Sequence, residues 1–219
     1  MPAVARDGGA RGVEKGAGNG DADSGEGDGP RIVVIGTSGA GKSHLAARLA
    51  RELGWPRIEL DALHWAPNWV ERPTADMAAD LARAITAPRW VADGNYSSVR
   101  HVLWPRATDI VWLDHPRHVV WSRVLRRTAR RTLLREPLWA GNRETLRKAL
   151  FSRESILWWS LTTFAGKRRR YAALMASGEY PHLRWHRLRH PREVEAWVAA
   201  LHTRLTSTAA TPPAPASAS

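Results

Sequence analysis

The chain has no cysteine. That excludes disulfides, thiolate nucleophiles and cysteine-ligated zinc. The absence fits a reducing compartment, and a cytoplasmic location is the expectation. No stretch approaches the ~18 consecutive apolar residues of a membrane span. Met1–Pro30 has no apolar h-region, so no signal peptide is expected there. Acidic residues are scarce in the middle of the chain. Residues 31–205 hold 30 Lys and Arg against 15 Asp and Glu, a local charge of +15, within a whole-chain charge of +12. An acidic solvating protein is thereby excluded. The excess points to polyanionic partners: phosphate-rich small molecules, nucleic acid or an anionic membrane surface.

Nine of the 17 glycines lie in residues 1–30, mixed with Asp, Glu, Ala and Ser. Such a segment cannot bury enough apolar surface to offset its ordering entropy, so 1–30 is expected to be a disordered tail. Residues 206–219, TSTAATPPAPASAS, are expected to form a second disordered tail. One domain over 31–205 remains. Arg31–Ile35 is a β-branched run and predicts a buried strand. Leu45, Leu49 and Leu53 recur at helical spacing, predicting a helix over Lys42–Leu53 that Gly54 stops. Further strands are predicted at Arg57–Leu60, Arg89–Ala92, Thr108–Leu113 and His182–Leu188. Thr74 is expected to cap a helix running to about Ala87, and Pro116 to start a long basic helix. Two more helices are predicted within 143–177, and a closing helix over Pro191–Leu205. Strands alternating with helices imply a three-layer α/β domain with parallel strands.

Gly36-Thr37-Ser38-Gly39-Ala40-Gly41-Lys42-Ser43 matches G-x-x-x-x-G-K-[ST]. The glycines let backbone N–H groups turn inward around phosphate, and the following helix aims its positive end at the same point. Lys42 is expected to reach the β- and γ-phosphates, Ser43 to ligate Mg²⁺, and His44 to complete the nucleotide-binding run. The strand before and the amphipathic helix after supply the required setting.

Asp61 ends the predicted second strand, where open α/β sheets line their ligand crevice. A carboxylate there suits accepting a substrate hydroxyl proton or entering the magnesium shell; capping a turn is the bland alternative. His64 follows as a substrate-side candidate, with a structural role as its alternative. Asp93-Gly94-Asn95-Tyr96 follows the third strand, with Arg100 beyond. Asp93 is a magnesium candidate. Asn95, Tyr96 and Arg100 are substrate candidates, although Asp-Gly is also a turn signal.

Residues 117–135 carry Arg117, Arg123, Arg126, Arg127, Arg130, Arg131 and Arg135 and no acid. Arg123 and Arg127 share a helix face, where like charges repel and something anionic must compensate. Guanidinium groups suit the spread charge of a transferring phosphoryl group; a solvated face and a nucleic-acid surface are the alternatives. Lys167–Arg170 follow the apolar Ile156–Phe164 and read as the basic end of a core helix. Of the twelve tryptophans, most are assigned to core or pocket wall. His182, His186 and His190 are read as structural or solvent-exposed rather than as a zinc site.

The phosphate loop, LDALHW, WVADGNY, VWLDHPR and the arginine helix together resemble the adenylate-kinase-related P-loop family labelled topology-modulation protein, FlaR-like. The resemblance covers roughly 31–205 and implies a nucleoside-monophosphate-kinase-like P-loop NTPase fold. Its elements would be a five-stranded parallel sheet and an arginine-rich helical lid over about 117–165. It implies ATP and Mg²⁺ as cofactors, with Arg123 and Arg127 as the lid arginines. Adenylate kinases proper follow the third strand with Asp-Gly-Phe-Pro-Arg; here Asn95-Tyr96 stand in the Phe-Pro places and Arg100 is the substitute arginine. Asp61 is more like the strand-end Asp of shikimate- and gluconate-kinase-like enzymes. The expectation is a kinase moving the ATP γ-phosphoryl group to a small-molecule acceptor, hydroxyl or nucleoside monophosphate. Lys42, Asp61, Arg123 and Arg127 would be its catalytic residues. The alternative is a nucleotide-dependent nucleic-acid-binding or regulatory protein.

Overall fold

The computed structural model describes residues 29–134 and 156–209, with side chains over 29–126 and 164–207. The two expected tails lie almost wholly outside these residues, as do 135–155 of the expected lid.

The strand β1 (Arg31–Gly36) is fully buried after its first residue. Its alternation sends Ile32 and Val34 into one core and Val33 and Ile35 into another. A strand apolar on both faces belongs at the centre of a parallel sheet, and β1 is central. It pairs in parallel with β5 (Trp90–Asp93) on one side and β6 (Asp109–Leu113) on the other. The outer strands are β2 (Arg57–Glu59) and β7 (Arg184–Leu188), giving the order β2-β5-β1-β6-β7.

Helices α1 (Lys42–Leu53) and α7 (Pro191–Ala209) cover the Ile32 face through Leu45, Leu49, Val198 and Leu201. On the other face lie α3 (Thr74–Ala84), α4 (Arg100–Leu103) and α6 (Ile156–Ser177). Met77, Leu81, Leu103 and Tyr171 meet Val33, Ile35, Ile110 and Trp112 there. Each fully buried aliphatic side chain contributes about 1.5–3 kcal/mol, so the paired cores hold the three layers together. Helix α5 (Arg117–Leu134) buries Val120 and Val124 against Phe164 of α6.

Several boundaries differ from the sequence expectation. The second strand ends at Glu59, and Asp61 lies in the first turn of a short helix, α2 (Leu60–His64). Asp93 is the last residue of β5 rather than the first after it. Pro73, not Thr74, is the N-cap of α3, and no side chain caps it. One helix, α6, occupies 156–177, with 143–155 outside the described residues. The closing helix continues past Leu205 to Ala209, its end carrying Thr206 Oγ1 bonded back to His202 O at 3.2 Å. A small antiparallel hairpin, β3 (Trp65–Ala66) and β4 (Val70–Glu71), was not legible because each strand has only two residues.

Candidate active site

The loop Gly36–Ser43 leaves the end of β1 and enters α1 through Gly41, a left-handed N-cap. Gly39 has φ +83°, and a Cβ there would lie 2.2 Å from Val124 Cγ2 and 3.0 Å from Val120 O. Only glycine lets α5 close over the loop. A Cβ on Gly36 would meet Leu113 O at 2.7 Å. The loop is braced by Ala40 N–H to Thr37 O at 3.1 Å and Lys42 Nζ to Thr37 O at 3.3 Å. Arg123 Nη1 donates to Ala40 O at 2.8 Å, so this arginine faces the loop. The side chain of Arg127 lies outside the described residues. A cavity of about 360 Å³ opens beside the loop, lined by Gly41, His44, Arg48, His115, Arg123 and Val194 among others. His115 is buried and its Nδ1 has no hydrogen-bond partner among the described residues. Burial, foremost, holds its pKa below the ordinary imidazole value.

Asn95 is turned toward the loop. Its Nδ2 donates to Gly36 O at 2.6 Å and its Oδ1 accepts from Gly36 N–H at 3.2 Å. This side chain fastens the segment after β5 to the first residue of the phosphate loop. Asp93 is 3 % exposed and accepts from Arg57 Nε at 3.1 Å. Arg57 also reaches Glu59 at 2.9 Å.

Asp61, His64 and Tyr96 do come together. Tyr96 donates its phenol O–H to Asp61 Oδ1 at 2.6 Å, and the His64 and Tyr96 ring centres lie 4.5 Å apart. Burial first, then the Asp61 charge, pushes the Tyr96 phenol well above its ordinary pKa, so it stays a donor. Arg100 does not join them in the same way. Its guanidinium lies over the Trp104 ring at 4.9 Å.

Lys167 of α6 is a half-buried cation that the sequence does not single out. Burial, then the Lys42 ammonium, depresses it to about 8, while Asp61 pulls the other way. The phosphate loop and Asp61 therefore act on one and the same ammonium. No motif marks it: it is one cation in a run of four, Lys167–Arg170.

Asp114, buried at the end of β6, anchors this side of the molecule. It accepts from Arg187 Nη2 at 2.6 Å and Nε at 2.9 Å, and from Arg168 Nε at 3.1 Å. Arg168, expected at the basic end of a core helix, and Arg187 are thus spent on structure. The histidines do likewise. His186 Nε2 meets Asp109 at 2.7 Å and His182 Nε2 meets Trp104 O at 3.2 Å. Among the described residues no cluster of His, Cys, Asp and Glu could hold a metal, and no helix is long and apolar enough to cross a membrane.

No curated protein matches the chain. A gluconokinase from Sinorhizobium meliloti 1021 is 23% identical, with a TM-score of 0.46 over 81% of this chain and 96% of that one. A shikimate kinase from Acinetobacter baumannii, in complex with shikimate, is 14% identical, with a TM-score of 0.47 over 83% and 96%. The AAA_33 family model, an AAA domain, matches residues 32–202, from the first buried residue of β1 into the last helix. With its glycine-shaped phosphate loop at the end of a central parallel strand, the chain belongs to the AAA domain family.

Proposed function

We propose that the protein is an ATP-dependent small-molecule kinase of the adenylate-kinase-related kind, with a hydroxyl as acceptor. One observation carries the reading: Asn95 is bonded to Gly36 of the phosphate loop while the next residue, Tyr96, donates to Asp61 at 2.6 Å. Adjacent residues thus tie the phosphate loop to a carboxylate able to take a hydroxyl proton.

The residues suit a nucleotide. Gly36, Gly39 and Gly41 keep the loop clear of Cβ atoms, and Thr37, Ser38, Ala40 and Ser43 complete its backbone cradle. The neighbouring cavity takes the nucleoside end, with His44 at its wall and the orphaned His115 Nδ1 behind it. Magnesium, when bound with ATP, would supply charge neutralisation at the phosphates; Ser43 is suited to hold it, whereas Asp93 has one carboxylate oxygen taken by Arg57 and could offer only the other. Lys42 steadies the β- and γ-phosphates. Arg123, with Arg127 one turn on, places guanidinium charge beside the moving phosphoryl group. Asp61 accepts the proton as the acceptor oxygen bonds to phosphorus and the bond to the departing diphosphate breaks. Tyr96 fixes the carboxylate's orientation.

A hydroxyl acceptor is preferred to a nucleoside monophosphate for two reasons. Asn95 is spent on Gly36, and Arg100 is stacked on Trp104 rather than set beside Asp61. A nucleic-acid role draws less support, because Arg57, Arg168, Arg184 and Arg187 already neutralise carboxylates within the fold.

Lys42→Ala tests the reading. Its bond to Thr37 O is long, at 3.3 Å, so the fold should survive. The expected result is unchanged circular dichroism and no ATP-dependent phosphorylation of any acceptor. Transfer at the wild-type rate would falsify the proposal.

A further inference from the structure

The turn between β3 and β4 carries a residue its geometry disfavours. Asn68 and Trp69 are consecutive left-handed residues, with φ 62° and 60°. Three residues, Pro67, Asn68 and Trp69, link the paired Ala66 and Val70, and a left-handed position in such a turn favours Gly or Asn, because a larger side chain crowds the backbone there. Asn68 obeys the rule and Trp69 breaks it. A bulky side chain in that region is strained, and such strain collects at ligand-binding positions. Deep burial does not compensate, since Trp69 is 36% exposed and the next residue, Val70, is 57% exposed.

The ring's placement suggests what does. Trp69 meets Trp65 edge-on, with centres 5.5 Å apart, and Trp65 meets His64 edge-on at 4.6 Å. His64 lies 4.5 Å from Tyr96, which holds Asp61. A ledge of four rings thus runs from the surface to the carboxylate. The hairpin that carries it is braced. Arg72 N–H donates to His64 O at 2.8 Å, Arg72 Nη1 to Leu63 O at 3.0 Å and Nη2 to Asp80 at 2.6 Å.

We propose that Trp69 and Trp65 form the outer half of the acceptor site, and that the acceptor is a hydroxyl-bearing ring compound. One face of the ring lies against a single indole, the two indoles being set edge-on to each other, while a hydroxyl is turned toward Asp61. The electron-rich indole face attracts C–H groups and aromatic edges alike. Cyclic polyols, sugars and nucleosides share the required chemistry. The proposal rests on Asp61 being the acceptor carboxylate.

The test begins with binding, separately from transfer. Saturation-transfer NMR on the full chain would screen cyclic polyols, aldoses and nucleosides, with acyclic polyols as controls; binders then go into an ATP-dependent transfer assay. Ring compounds are expected to bind and acyclic ones not, and the arm that binds identifies the source. Trp69→Ala should weaken acceptor binding about tenfold or more, with KM for ATP unchanged, while Trp69→Phe should stay within about threefold of the wild type. Trp69→Gly suits the left-handed turn, so it should raise Tm and still lose acceptor binding. A purely structural tryptophan would lose stability on the same change. Ring compounds failing to bind the wild type, acyclic compounds binding equally well, or Trp69→Ala binding like the wild type would each overturn the proposal. Ring binding without phosphoryl transfer supports the ledge and overturns the kinase reading instead.

Discussion

Lys167 is a half-buried ammonium whose pKa falls to about 8, because burial and Lys42 disfavour its charge more than Asp61 favours it. If that charge steadies the transferring group, kcat falls as pH rises through about 8. Lys167→Arg remains cationic and should carry the plateau to higher pH, which a kcat–pH profile would show. Stability runs in the opposite sense. Between about 8 and the ordinary 10.5 the unfolded chain binds the proton that the folded chain has released, so stability rises with pH across that window. Lys167→Met should therefore raise Tm at pH 7 and lower turnover. A parallel fall in both would show that the lysine is merely structural. At Asp61 the change to Asn should lower kcat about 10²- to 10⁴-fold, as expected on losing a general base. An unchanged kcat would remove Asp61 from the chemistry.

The phosphate loop works as a unit with α5, and Gly39 is where the two touch. Gly39→Ala would put a methyl group 2.2 Å from Val124 Cγ2 in a residue at φ +83°. Backbone and helix must both move. The expected cost is about 1–3 kcal/mol of stability, together with loss of ATP binding. Denaturant unfolding and calorimetric titration would read the two effects. Asn95 links a second element to the same loop through its paired bonds to Gly36. Such partly buried bonds are worth about 1 kcal/mol each, and more when one partner is orphaned. Asn95→Ala should therefore raise KM for ATP, although Asn95 sits on the segment leading toward Asp61. Normal ATP affinity in that variant would show that the latch is dispensable.

Across the whole molecule, the basic excess is partly drawn inward onto buried carboxylates. Asp109 opens β6 and is fully buried; it accepts from Arg184 Nη2 at 2.8 Å and Thr108 Oγ1 at 2.7 Å, with His186 Nε2 at 2.7 Å. Burial alone would raise its pKa, but the bonds from His186, Arg184 and Thr108 together outweigh it and hold the carboxyl well below 3.8. The folded state thus keeps Asp109 ionised where the unfolded chain would protonate it. Its stabilisation is complete above about 3.8 and is lost as pH falls through the depressed folded value. Asp109→Asn should cost about 1–3 kcal/mol at neutral pH and flatten the acid side of the stability curve. Urea midpoints taken at pH 7 and in acid would measure both. An unchanged acid limb would place the acid sensitivity elsewhere.

The phosphate loop, the five strands and the apolar stripe of α1 were legible in the residue order, because each depends on neighbours a few positions away. The β-branched run of β1 implies burial on both faces. Glycine at Gly39 and Gly41 is demanded by local backbone angles. The pairing of Asp61 with His64 and Tyr96 was half legible, since strand ends converge on one edge of a parallel sheet. The remaining roles came only from the tertiary structure. Asn95 reads as a substrate residue until it is seen bonded to Gly36, and no pattern in the sequence pairs Arg187 with the buried Asp114. Lys167 is one cation in a basic run until the fold brings it under the influence of Lys42 and Asp61. Trp69 is one of twelve tryptophans until its backbone angle is known. A side chain's charge, strain and partners depend on groups far away in sequence, and only the packed chain brings those groups within a few ångströms.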